Sequence, residues 1–389
     1  MKRKNIIIAG GGFGGLSTLK TLYKNRSACS DYNIILIDKK AAFEFIPMLP
    51  DVLGGWLSGQ SIQTRFEQFA KKLNFTFILG EIEKVNLPEK RILVDGKKLA
   101  YEFLVLATGL DSNFFGNESA KNNCHRLKEV KNALDAKREI ILRGGSEKPV
   151  NVVVIGAGYT GLEVATNAKL LMDNYRVNGK VTLVEKAERI LPMMPDRLRQ
   201  DIENFINELG INVTTSNSLL RCRKGTAYLS SDDKLVNSVC IWTVGTKPAA
   251  FIEELDVEKI RGRIGVNRNL TIADHDFKKV FAVGDIAAFI DPDTEQPLRM
   301  AIMFALGQGE IAGQNIISRI RKKDLNDFAP TDLGYLLPLA FGRAPGVVLG
   351  RSVSGRIGFW LHYIMSIVRA PKSNKLAIFK ELLFSRIFS

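Results

Sequence analysis

The run NIIIAGGGFGG, from Asn5 to Gly15, decides the fold. Asn5 to Ala9 reads as a buried strand, and it feeds directly into Gly10-x-Gly12-x-x-Gly15 and then a helical pattern. Asn33 to Ile37 predicts the next strand, which ends on Asp38. In a βαβ unit of this kind the glycines let the backbone turn tightly and approach a pyrophosphate at a helix N-terminus. The carboxylate at the end of the second strand accepts hydrogen bonds from a ribose diol.

The same arrangement recurs in NVVVIGAGYTG, where Asn151 to Ile155 leads into Gly156-x-Gly158-x-x-Gly161 and Val181 to Val184 ends on Glu185. The acid lies 23 positions past the last glycine in the first copy and 24 in the second. A glycine turn between strand and helix also serves plain packing, so one copy alone would decide little. Two copies, each with its strand, its helix and its acid, predict two bound dinucleotides and a relay between them.

A chain of 389 residues has length for two or three domains. Its 46% apolar and 25% charged content is ordinary for a soluble globular protein. The net charge of +14 is not ordinary, and it is uneven: from Phe341 onward eight Lys and Arg residues stand against a single acid, Glu381. An anionic surface is the expected partner. Cys29, Cys124, Cys222 and Cys240 form no CxxC pair and no metal-ligand spacing, so neither a metal site nor a disulfide framework is expected. Cys222 and Cys240 lie in strand-like runs and read as core. His125, His275 and His362 have no clustered partners and read as structural or surface residues. No leader is expected ahead of the strand at Asn5, and no window of 18 or more uncharged apolar residues occurs.

Between the cradles, strands are predicted at Phe75 to Leu79, Lys90 to Val94 and Phe103 to Ala107, the last reaching Thr108-Gly109; a helix follows near Leu127 to Leu142. After Glu185 come a helix from Asp196 to Leu209, strands at Asn212 to Thr215 and Val239 to Val244, then Gly245. A last strand, Val280 to Val283, ends on Gly284-Asp285, the position at which open α/β sheets bind ligands. The expected fold class is α/β, with two Rossmann-like dinucleotide-binding domains, one inserted in the other. Residues 1–115 and 266–330 would form the first domain and 116–265 the second, leaving 331–389 as a C-terminal segment.

That segment has its own pattern. Ile357, Trp360, Leu361, Ile364, Met365 and Val368 recur at helical spacing, and after Pro371 so do Leu376, Phe379, Leu383 and Ile387, joined by Phe388. Basic residues, Arg386 among them, punctuate both pieces. Two successive basic, aromatic-rich amphipathic helices predict an element lying in a lipid interface. Nucleic acid is not the expected partner, because large apolar residues outnumber polar base-reading candidates there.

These motifs resemble those of the type II, non-proton-pumping NADH:quinone oxidoreductases, within the two-dinucleotide-domain flavoproteins. The likeness runs over nearly the whole chain. It is carried by IIIAGGGFGG, FEFIPMLPDVLGG, YEFLVLATGL, VVVIGAGYTGLEVA, LVEKAERILP, IWTVGTKP, GRIGVNRNLTI and VFAVGDIA. The resemblance implies that Gly10, Gly12, Gly14 and Gly15 cradle the FAD pyrophosphate, with Asp38 on the adenosine ribose, Lys39 beside it and Ile82 at the adenine. Thr108, Gly109 and Gly284 would contact the cofactor, Asp285 would bind the ribityl chain, the backbone near Ile302 would face the flavin ring and Pro47 would border the isoalloxazine. Gly156, Gly158, Thr160 and Gly161 would cradle NADH, with Glu185 on its ribose and Gly245 nearby. Glu163 would sit between nicotinamide and flavin as the catalytic carboxylate.

The expected partners are a quinone and a membrane surface, with a second copy of the chain left open, and the expected place is the cytoplasmic face of the cell membrane. Two features qualify the resemblance. Met303 and Gly307 stand where the family carries quinone-pocket glutamines, so a more apolar and roomier pocket is expected. Lys186 and Arg189 follow Glu185 and would blunt its preference for NADH over NADPH. Two alternatives stay open: an NADH-dependent flavoprotein with a soluble acceptor, and a slow NADH-binding flavoprotein that signals through a partner.

Overall fold

Strand Lys4–Ala9 lies at the centre of a five-stranded parallel sheet, between Tyr32–Asp38 on one side and Phe103–Leu106 on the other. Thr76–Leu79 and Val280–Ala282 form the edges. The central strand is a run of isoleucines because both faces of a parallel sheet are covered, leaving no side for alternation with polar residues. One face is closed by helices Phe13–Lys24 and Ile302–Ile320, which cross at glycine contact distance: a Cβ on Gly309 would stand 2.2 Å from the carbonyl of Gly14. Thr18 and Ser17 donate across the crossing to the carbonyls of Gly309 (2.9 Å) and Leu306 (2.7 Å). An antiparallel ribbon, Ile82–Asn86, Arg91–Val94 and Lys97–Ala100, flanks the sheet. Only its middle strand was expected from the sequence, since the outer two alternate charged and apolar residues too briefly to stand out.

A second five-stranded parallel sheet repeats the plan. Val150–Ile155 is central, next to Gly179–Val184 and Ser238–Trp242, with Asn212–Thr214 and His125–Arg126 at the edges. Helix Tyr159–Asn174 follows the central strand, and helix Val130–Gly144 also packs on the sheet.

In this computed structural model residues 3–192, 194–273 and 276–385 are described. His275, Arg386, Ile387 and Phe388 lie outside the described residues. Two compact units emerge: 1–43, 64–111 and 246–332 hold the first sheet, and 44–63, 112–245 and 333–389 hold the second. Residues 44–63 therefore fall in the second unit and not with the first domain, because helix Leu49–Gly54 packs on helices Tyr159–Asn174 and Val130–Gly144. The C-terminal residues also join that unit, as a ribbon, Gly334–Leu336, Gly346–Val348 and Arg351–Val353, and two helices, Gly355–Arg369 and Lys372–Phe384.

Candidate functional site

In the first unit three motif segments meet at the carboxyl ends of neighbouring strands: the glycine loop after Ala9, Thr108-Gly109 after Leu106, and Gly284-Asp285 after Ala282. Strand order reverses between the first two, which opens a crevice there. Each glycine is required for a different reason. Gly10 has φ +106°, and a Cβ on it would lie 2.4 Å from the Ala107 carbonyl; one on Gly15 would lie 2.0 Å from the Gly10 carbonyl. Packing within the chain explains both. Gly12 differs, because its nearest neighbour would be 3.9 Å away, an ordinary contact. The second glycine is thus small for something the chain does not itself supply, which fits a pyrophosphate at the N-terminus of the following helix. Thr108 adds a second sign: its hydroxyl is buried with no hydrogen-bond partner among the described residues.

Asp38 closes this cradle. Oδ2 accepts the Gly11 N–H at 2.6 Å and Oδ1 the Lys40 N–H at 2.8 Å, so the carboxylate is fixed with lone pairs left over. Burial pushes the carboxyl up, while those two N–H donors and the Lys40 and Lys39 charges pull it back. Lys39 itself is on the surface, 3.9 Å from Asp111. Ile82 opens the ribbon beside the sheet.

The second unit repeats this geometry atom for atom. Glu185 Oε2 accepts the Ala157 N–H at 2.7 Å and Oε1 the Ala187 N–H at 2.8 Å. A Cβ on Gly161 would lie 1.9 Å from the Gly156 carbonyl, whereas one on Gly158 would meet nothing within 4 Å. Thr160 is exposed in the first turn of the helix. Gly156 and Gly245 have φ of +101° and +71°, at the ends of adjacent strands. Arg189 lies 3.8 Å from Asp196 in an exposed pairing.

Glu163 sits one turn into the same helix, partly buried, and its carboxyl is pushed well above the usual range, first by burial and then by the charge of Asp51. Asp51 was not singled out in the sequence. It is 3% exposed on helix Leu49–Gly54, just past Pro47, and burial raises its carboxyl to about 8 against hydrogen bonds from Tyr363 and Asn167. Asn167 in turn donates to the Glu163 carbonyl at 3.0 Å and accepts from Trp56 at 3.3 Å. Two carboxyls, each raised by burial, therefore lie near enough for the charge of Asp51 to act on Glu163.

At the start of helix Ile302–Ile320, Ile302 and Met303 are partly buried and Gln308 is buried, accepting the Gly284 N–H at 2.7 Å. Arg263 donates to the carbonyls of Asp285 and Leu298, each at 2.9 Å, and to that of Ala287. The expected extra room at Gly307 is not there. A Cβ on Gly307 would stand 3.0 Å from the Phe328 ring, which covers the position, and that ring packs edge-on to Phe289. Gly307 therefore opens no extra room.

Two parallel-sheet units, each with a glycine cradle and a backbone-anchored carboxylate, define a protein built to hold two dinucleotides. The family model of the pyridine nucleotide-disulphide oxidoreductases matches residues 4–309, and the chain belongs to that family. It is similar to a type II NADH:quinone oxidoreductase of Staphylococcus haemolyticus, 28% identical over 91% of this chain and 92% of the relative. The corresponding protein of Staphylococcus epidermidis is 27% identical over 93% and 94%. Among solved structures, NDH2 from Plasmodium falciparum in complex with NADH shares the fold at a TM-score of 0.86 with 17% identity, covering 98% of both chains. A sulfide:quinone oxidoreductase of Aquifex aeolicus shares it at 0.77, with 17% identity over 96% of this chain and 92% of that one.

Proposed function

We propose that this chain is a type II NADH:quinone oxidoreductase, an enzyme that oxidises NADH through FAD and reduces a membrane quinone without pumping protons. The observation that carries the reading is the duplicated cradle, in which both second glycines, Gly12 and Gly158, face space that no residue of their own unit fills. The first cradle, with Gly14 and Asp38, would hold FAD; the second, with Glu185, would hold NADH. Bound FAD supplies the chemistry, taking hydride from NADH and passing two electrons to the quinone.

The residues of the chain supply position and protons. Asp38 and Glu185 fix the ribose ends of the two cofactors through oxygens already locked by backbone N–H groups. Hydride from NADH brings two electrons and one proton, so forming a quinol draws one further proton. Glu163 and Asp51, whose carboxyls burial raises above the usual carboxylate range, are the groups that would hold and pass it.

A quinone dissolved in lipid requires docking at a membrane. The C-terminal helices are apolar on two sides. Phe359 and Tyr363 face inward at 0% and 1% exposure, while Ile357 at 76%, Ile364, Val368, Leu376, Phe379, Leu383 and Phe384 at 85% face outward. Among the described residues no helix is long and apolar enough to cross a membrane. Seven outward side chains at roughly 1.5–3 kcal/mol each outweigh the basic residues at about 1 kcal/mol apiece near anionic lipid. The reading is therefore of a peripheral protein held mainly by apolar insertion, on the cytoplasmic face.

Anaerobic addition of NADH should bleach the flavin of the purified protein rapidly, and a short-chain quinone should restore the colour over many cycles. Slow bleaching without turnover would replace this reading with a signalling flavoprotein. Met303 and Gly307 offer no side-chain donor to a quinone carbonyl, and this leaves one competitor, a soluble acceptor. Activity with such an acceptor that matches or exceeds quinone reduction in vesicles would support it.

A further inference from the structure

Cys124, Cys222 and Cys240 are scattered in the sequence, yet their sulfur atoms all lie within 4.8 Å of one another. Sheet register brings them together. His125 pairs with Ile241 in parallel, so one residue back Cys124 stands beside Cys240. Cys222 comes from strand Leu219–Arg223 of the adjoining ribbon. Its position is fixed by Ser119, whose hydroxyl donates to the Cys222 carbonyl at 2.7 Å and accepts the Cys222 N–H at 3.0 Å. Asn117 caps the same short helix and donates to the carbonyls of Leu219 and Leu220. Strand register thus sets Cys124 beside Cys240, and Ser119 fixes the backbone of Cys222.

We propose that Cys124, Cys222 and Cys240 form a three-thiolate site for a divalent thiophilic cation, zinc(II), with water as its fourth ligand. A metal bonded to sulfur at about 2.3 Å sets its ligand sulfurs about 4 Å apart, within the spacing the thiols already have. Thiolates select zinc and copper(I) over harder ions. The walls decide between those two. Val153, Leu219, Leu229 and Trp242 surround the cluster with apolar surface, which penalises net charge. Three thiolates leave a net charge of −1 around zinc(II) and −2 around copper(I). No His, Asp or Glu among the described residues joins the cluster, so the fourth ligand is water. Cys222 and Cys240 are buried and Cys124 is half-buried, so ions and water reach the site from the Cys124 side.

The test uses the flavin-loaded full chain, stripped with a chelator and then given zinc(II) or cobalt(II) alone. One equivalent of zinc should be retained through desalting. Cobalt(II) should give ligand-field bands to the red of the flavin absorption, with the intensity of a tetrahedral site. The Cys240→Ser variant should lose both, and the milder Cys124→Ala, at the half-exposed position, should weaken retention at least tenfold while flavin content and NADH bleaching stay unchanged. Equal retention by wild type and both variants would overturn the proposal. So would a denatured thiol count of two instead of four in the protein as purified, which would mean a disulfide. Retention of copper(I) with no zinc bound would overturn the divalent assignment.

Discussion

Tyr363 donates its phenolic hydroxyl to Oδ1 of Asp51 at 2.9 Å, and both residues are buried although 312 positions separate them. The Tyr363 ring also packs against Phe359 at 4.6 Å and Trp56 at 5.3 Å, so the C-terminal helix reaches the acid pocket through packing as well as through a hydrogen bond. A helix that carries exposed apolar side chains on one face thus holds, on the other, a group that controls a buried proton.

The stability of the protein should depend on this proton. Asp51 titrates near 8 when folded and near its ordinary 3.8 when unfolded. Between those values the folded state carries a proton that the unfolded state lacks. The contribution is complete below pH 4 and is lost as pH rises toward 8, at about 1.4 kcal/mol per pH unit. Urea unfolding at pH 5 and pH 8 should show a decline at least that large, and Asp51→Asn should remove the Asp51 share, leaving the slope that Glu163 adds in the same direction. A wild-type stability that is flat across the window would reject the burial account.

Tyr363→Phe keeps the ring packing and removes only the donor. The hydroxyl favours the charged form of Asp51, so its loss should keep the proton on the carboxyl to higher pH. The alkaline limb of the kcat profile should move upward by about 1 to 2 pH units, the equivalent of one hydrogen bond to a charged group. A profile that is lowered without moving would assign Tyr363 a structural role alone.

The glycines of the second cradle should separate folding from binding. Gly158 has φ −79° and open space over its Cβ position, so Gly158→Ala should fold normally yet raise KM for NADH about tenfold or more by crowding the pyrophosphate. Gly161→Ala drives a methyl onto the Gly156 carbonyl and should lower stability by about 1–3 kcal/mol. Melting curves and KM measured on both variants check the division; equal melting losses would erase it.

Glu185 should set the choice of nicotinamide. Its carboxylate is pinned by the Ala157 and Ala187 N–H groups, and in the proposed role on the NADH ribose it would meet a 2′-phosphate as a like charge, at a cost of several kcal/mol. Glu185→Ser should narrow the kcat/KM ratio of NADH over NADPH by about tenfold or more. An unchanged ratio would mean that Lys186, not the acid, governs the site.

The sheets, the cradles and their acids were legible because each is local: a strand, a glycine turn and a carboxylate within about 30 residues obey spacing rules. What escaped was assembled at long range. Asp51 looked like one residue of an apolar motif until Tyr363 and Asn167 enclosed it. Cys124, Cys222 and Cys240 follow no ligand spacing because parallel register, not sequence proximity, brings them together. The room expected at Gly307 failed for a similar reason, since Phe328 reaches it from a separate segment.

The helical stripe at the C-terminus was visible, but its direction was not, because Phe359 and Tyr363 on the opposite side are equally apolar and it is they that fill the core. This governs how membrane docking is tested. Truncation would remove Tyr363 from Asp51 and Glu381 from its hydrogen bonds to Ser58 and Ser61, at 2.6 to 2.8 Å, so lost activity would be ambiguous. Phe379→Asp with Phe384→Asp alters only outward side chains. Flotation with anionic vesicles should fall at least tenfold and quinone reduction in vesicles with it, while the melting temperature and flavin bleaching by NADH hold. In the wild type, high salt should release only part of the protein and detergent all of it, because insertion of apolar groups is not screened by ions. Complete release by salt would leave the basic residues as the whole anchor.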